Sequence, residues 1–136
     1  GLRLSELCAL NRDINLQRVL NVLQYGRETG CHDWIPDRAI GPTDDALYEE
    51  EADYNNQDLA GRLGKNPEEL NGMTTTQKRE LLMERRKEQL RLLIDAYYQE
   101  RGWNSFGIPM PGTLKQLGLW KFLNDEARSV LTALTS

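Results

Sequence analysis

The segment from Thr75 to Arg101 constrains the fold more than any other part of the chain. Thr74, with Gln77 three residues on, makes a capping box at its start. Leu81, Leu82, Leu90, Leu93, Ile94, Tyr97 and Tyr98 supply an apolar stripe. Gly102 follows the last periodic residue and provides the left-handed stop that helices often use. At about 1.5 Å per residue such a helix is ~40 Å long, a spine against which everything else must pack. No period-2 pattern of useful length and no internal repeat occurs elsewhere. The expected fold is therefore all-α: one irregular helical domain over 1–136, with a long central helix (about 75–101) and long loops.

The remaining elements are read around that spine. Leu2 to about Gln24 has apolar residues near helical spacing, from Leu4 through Leu7, Leu10, Ile14, Val19 and Leu23. Asn11, Asp13 and Asn15 weaken its middle because such side chains compete for backbone hydrogen bonds, so a bend or a break near Asp13 is expected. Gly26 to Pro42 reads as loop, with Trp34 and Ile35 as anchors. Asp44 to Asp58 carries seven acids and no Lys or Arg, which reads as a solvated excursion with at most a turn of helix. Residues 26–58 thus form one long loop and acidic excursion within the domain. Short helices are expected at Gln57–Leu63, at Pro67–Leu70 behind an Asn66 cap, and at Pro111–Leu117. A final helix is expected from about Leu119 to Leu134.

Composition narrows the functional classes. A hydrophobic content of 39% with 28% charged residues fits a globular chain rather than a disordered one. A net charge of -4 argues against generic nucleic-acid binding, which needs a basic face. No apolar run approaches the roughly 18 residues of a membrane span, and no signal-peptide pattern opens the chain. Two cysteines, Cys8 and Cys31, do not make a disulfide framework, so a reducing cytoplasm is the expected compartment.

The residues that could carry chemistry are few. A zinc or iron–sulfur site needs several soft or imidazole ligands at set spacing, and the chain offers Cys8, Cys31 and one histidine, His32. Cys31-His32 is the only reactive-looking pair. Adjacent side chains rarely place a nucleophile and its base within reach, so no catalytic residue is assigned. The acidic run lacks the alternating ligands, central glycine and closing Glu of a calcium loop. Gly61-Arg62-Leu63-Gly64-Lys65 lacks the ending and the strand of a phosphate loop. The cluster Lys78, Arg79, Arg85, Arg86, Lys87 and Arg91 is interleaved with Glu80, Glu84 and Glu88. It reads as an exposed face with Glu84–Lys87 and Glu88–Arg91 pairs.

Two blocks carry a resemblance to a known family. The first is Asn15-Leu16-Gln17-Arg18-Val19-Leu20-Asn21-Val22, then Arg27-Glu28, then Asp33-Trp34-Ile35-Pro36-Asp37-Arg38. The second is Tyr97-Tyr98 with Arg101-Gly102-Trp103-Asn104, then Gly107-Ile108-Pro109 and Leu114 to Leu119. Together they span about half the chain and resemble the C-terminal part of the tungsten- or molybdenum-dependent aldehyde:ferredoxin oxidoreductase family. The chain departs from the family pattern in a longer first turn around Leu23 to Gly26 and Thr29, in Met110 and Gly112, and in a helix beyond Gly118.

The resemblance implies a parent enzyme that oxidises aldehydes to carboxylic acids and passes electrons to ferredoxin. It implies a bis-pterin tungsten or molybdenum centre and a 4Fe-4S cluster in that parent, held by segments upstream of the matching region. Cys8 does not map onto a cluster ligand, so no catalytic, cofactor or metal residue is carried over. Arg27, Asp33 and Arg38 are the matched polar loop positions, expected to stabilise contacts with the missing cofactor-binding domains. The expected role is a C-terminal helical domain packing against those domains. The alternative is a stand-alone helical module or small subunit of a separate catalytic chain.

Overall fold

A computed structural model describes residues 3–136. They form helices α1 (Leu4–Tyr25), α2 (Asp37–Ile40), α3 (Asp45–Glu50), α4 (Ala52–Leu63), α5 (Thr75–Arg101), α6 (Pro111–Gln116) and α7 (Asp125–Leu134). Three 3₁₀ segments, Gly26–Asp33, Pro67–Leu70 and Trp120–Phe122, complete the order. The fold is all-α, and the one extended pairing among the described residues is an isolated bridge between Trp103 and Pro109. The backbone divides into two compact units. One joins the chain up to Trp34 with Ile94–Ser136, and the other is Ile35–Leu93.

The first unit is built on α1, which is one continuous helix rather than two. The expected break at Asp13 fails because Asn15 is satisfied inside the helix. Its Nδ2 donates to the Asn11 carbonyl at 2.9 Å, and its Oδ1 accepts from Trp103 Nε1 at 2.8 Å. Val19 and Val22 form a core with Ile108, Leu114, Leu119 and Leu131, flanked by Leu117, Trp120, Leu123 and Leu134. Full burial of each such side chain is worth about 1.5–3 kcal/mol.

The chain reaches that core through a tight reversal. Gly102, at φ 72°, stops α5, and the Trp103 amide donates back to the Tyr98 carbonyl at 2.9 Å. Asn104 Oδ1 then accepts from the Phe106 and Ile108 amides, each at 3.0 Å. Pro111 opens α6, where its missing N–H costs nothing. The Thr113 hydroxyl donates to the Gly102 carbonyl at 2.7 Å and ties α6 to the reversal. The expected final helix begins later than Leu119. Asn124 caps α7 by accepting from the Ala127 amide at 2.8 Å, and a 3₁₀ turn fills the gap before it.

The second unit packs Tyr48, Leu59, Ala60, Leu70 and Leu82, with Leu63, Met73 and Leu81 around them. The Thr74–Gln77 capping box forms in both directions, at 3.0 and 3.2 Å. Here the acidic run departs from the solvated excursion expected of it and folds as α3 and α4. Its acids have nearby cations and hydroxyls to satisfy them. Asp45 pairs with Arg79 at 2.8 Å, and Asp58 pairs with both Arg86 and Arg62 at 2.7 and 2.9 Å. Asp44 caps α3 by accepting from the Leu47 amide at 2.9 Å. The basic cluster of α5 is accordingly an internal partner for these acids, and Lys87 pairs with Asp37 at 3.0 Å. Gly26–Pro42, expected as loop, holds the first 3₁₀ segment and α2. Thr29 stitches that 3₁₀ segment by donating its hydroxyl to the Gly26 carbonyl at 2.6 Å.

Candidate functional site

A buried polar constellation lies in the first unit and centres on Arg18, the one charged residue buried among the described residues. The helical register of α1 puts Arg18 beside Val19 and Val22 on the buried side, so the residue is only 7% exposed. It is fully used. Nη1 and Nη2 donate to the two Asp33 carboxylate oxygens at 3.1 and 2.7 Å, the fork geometry of a bidentate pair. Nε donates to the Gly107 carbonyl at 2.7 Å. The planar group also lies over the Trp103 ring, 4.6 Å from its centroid. Tyr98, from the closing part of α5, donates its hydroxyl to Asp33 Oδ2. Four segments of chain, α1, the first 3₁₀ segment, the end of α5 and the reversal after it, therefore meet at one cation.

The electrostatics follow from that packing. Partial burial pulls the Asp33 carboxyl upward, but hydrogen bonds from Arg18 and Tyr98 outweigh it and hold Asp33 below the ordinary carboxylate range. Burial and the Asp33 carboxylate push the Tyr98 phenol up to about 12. Asp33 is thus held as an anion and Tyr98 as a donor at neutral pH, and neither is poised to exchange a proton there. Gly107 is required by the same geometry. Its φ is 73°, and a Cβ there would run into the Arg18 guanidinium and the Tyr98 ring.

Arg27 and Asp33 belong to the first unit and Arg38 to the second, so the three residues expected at an interface are not members of one unit. Arg27 is exposed, 5.7 Å from the Phe106 ring centroid. Arg38 is exposed on α2. Asp33 is taken up by Arg18 and Tyr98. Cys8 and Cys31 are exposed thiols, and His32 stacks edge-on against Tyr25 at 4.4 Å. Among the described residues no three His, Cys, Asp or Glu side chains converge as a metal site. This donor set does not fit a four-iron cluster or a pterin-bound metal.

Sequence reasoning named Asp33 but missed Arg18 as its partner, and it took Tyr98 as part of an apolar stripe. The available signal was an arginine one and four residues from two valines that share a helix face. Asn15, Asn104 and Gly107 became meaningful only once the reversal brought them together.

Fold and site define the chain as an all-α module whose first unit is clamped around a buried arginine. A family model described as "Aldehyde ferredoxin oxidoreductase, domains 2 & 3" matches residues 7–119, and the chain belongs to that family. No curated protein and no solved structure matches it.

Proposed function

We propose that this chain is the C-terminal helical part of an aldehyde:ferredoxin oxidoreductase-like enzyme, packing against cofactor-binding domains that lie outside it. The parent would oxidise aldehydes to carboxylic acids in the cytoplasm and pass the electrons to ferredoxin. Tungsten or molybdenum bis-pterin and a 4Fe-4S cluster would belong to the other domains. The observation that carries this reading is the family match over residues 7–119 in a chain whose buried Arg18 site is saturated internally. That site orients backbone and offers no reactive group.

Two features support a packing role. Leu16, Leu20 and Leu23 recur at spacings of four and three along one side of α1, yet they are 43%, 53% and 42% exposed. A run of half-exposed leucines on one helix face is the kind of surface that docking covers. Arg27 and Arg38 are exposed cations free to reach acidic groups of another domain. In this reading Asp33 contributes by fixing the 3₁₀ segment that presents Arg27.

The test is reconstitution of this chain with a separately expressed cofactor-binding domain of the family, followed by size-exclusion chromatography. Co-elution that weakens in Arg27→Glu, Arg38→Glu and Leu20→Asp variants is the expected result. Aldehyde-dependent dye reduction by this chain alone would overturn the proposal. No helix among the described residues is long and apolar enough to cross a membrane.

A further inference from the structure

The family match ends at residue 119, yet the chain that follows is knitted into the first unit by an apolar and a polar contact. Leu131 of α7 is fully buried in the cluster that contains Ile108, Val19 and Val22. Asn104 Nδ2 donates to the Leu134 carbonyl at 3.2 Å, near the end of α7. Both contacts land on residues that support the Arg18 clamp. Asn104 also uses its Oδ1 to hold the Phe106 and Ile108 amides, and its own carbonyl accepts from the Gly107 amide at 2.9 Å. Gly107 is the residue whose carbonyl Arg18 grips. Val19 is the neighbour of Arg18 on α1.

We propose that residues 120–136 form a strap whose release and the opening of the Arg18–Asp33–Tyr98 clamp are one cooperative event. The route has an apolar arm and a polar arm. When α7 lifts, Leu131 leaves the buried cluster it shares with Ile108, and Asn104 loses the partner of its amide nitrogen. The reversal that aims the Gly107 carbonyl at Arg18 is then held by fewer contacts on both faces. Arg18 loses its Nε acceptor, and the 3₁₀ segment ending at Asp33 loosens with it. A terminal helix tied only to its own neighbours would instead fray without effect elsewhere. The strap therefore gives any molecule that binds or displaces α7 a physical handle on the segment carrying Arg27.

Amide hydrogen exchange on the full chain tests this. The variants are Leu131→Ala, the milder Leu131→Val, and Ser129→Ala on the exposed face of α7 as a control. Loss of buried leucine atoms shifts a local opening equilibrium by about tenfold or more. The proposal expects exchange to rise by that order in α7, in residues 104–108 and in Gly26–Asp33 together. The rise should be smaller in Leu131→Val and absent in Ser129→Ala, with α4 unchanged throughout. A rise confined to α7 would overturn the coupling. A rise that also reaches α4 would overturn the strap and clamp as a distinct cooperative unit, and Leu131→Val keeps the test readable if Leu131→Ala unfolds the chain.

Discussion

Replacing Asp33 with Asn is the sharpest perturbation of the clamp, because it removes one charge and almost no volume. Arg18 would keep the Gly107 carbonyl and the Trp103 face but lose its counter-ion. Breaking a fully buried ion pair by changing one partner costs about 3–5 kcal/mol, because the other charge is left uncompensated. The Asp33 side chain is 31% exposed against 8% for Arg18, so water relieves part of that penalty. The expected loss for Asp33→Asn is about 2–3 kcal/mol at pH 7. For a chain of this size that lowers Tm by roughly 6–10 °C.

The pH dependence has a definite sign. Asp33 has its carboxyl held below the unfolded value of 3.8, so its contribution is complete above that value. The contribution is lost as pH falls through the lower, folded value. Urea denaturation of wild type and variant from pH 7 down to the acid limit of folding reads this directly. The stability gap should stay constant down to about pH 5 and close as pH drops below the ordinary carboxylate range. A gap under about 0.5 kcal/mol at pH 7, the size of an ordinary surface substitution, would refute the clamp as a stabilising centre. So would a gap that does not change on acidification.

Three further outcomes are expected. Gly107→Ala should cost more than about 2 kcal/mol in denaturant titration, since it adds left-handed strain to a collision with Arg18 and Tyr98. Asn15→Leu should cost about 1–3 kcal/mol by the same assay, because Trp103 Nε1 would lose its acceptor in a buried site. Thr74→Ala should cost about 1 kcal/mol through the broken capping box, with the added exchange confined to the first turn of α5.

The elements that were legible in the sequence are those defined by local chemistry. The Thr74–Gln77 box, the Gly102 stop and the Pro111 start depend on residues within a few positions of one another, and α5 and α6 sit where those signals put them. The acidic run was misread because its stability is not local. Asp45 and Asp58 find their cations on α5, at sequence separations of 34 and 28 residues. Taken alone the run shows only repulsion and solvation. The same reason hid the site. Asn15 looks like a helix breaker until Trp103, 88 residues away, supplies its partner. Arg18 looks like a surface charge until the reversal at Gly107 closes over it. Family membership was readable for a different reason, since the two matching blocks are the segments that build this clamp.

In the proposed function this chain supplies helical packing surface and holds no redox centre of its own. Elemental analysis of the purified chain, after production in medium supplied with tungstate, molybdate and iron, tests it most directly. Tungsten, molybdenum and iron are each expected well below one equivalent per chain. A stoichiometric amount of any of the three, retained through gel filtration, would contradict it.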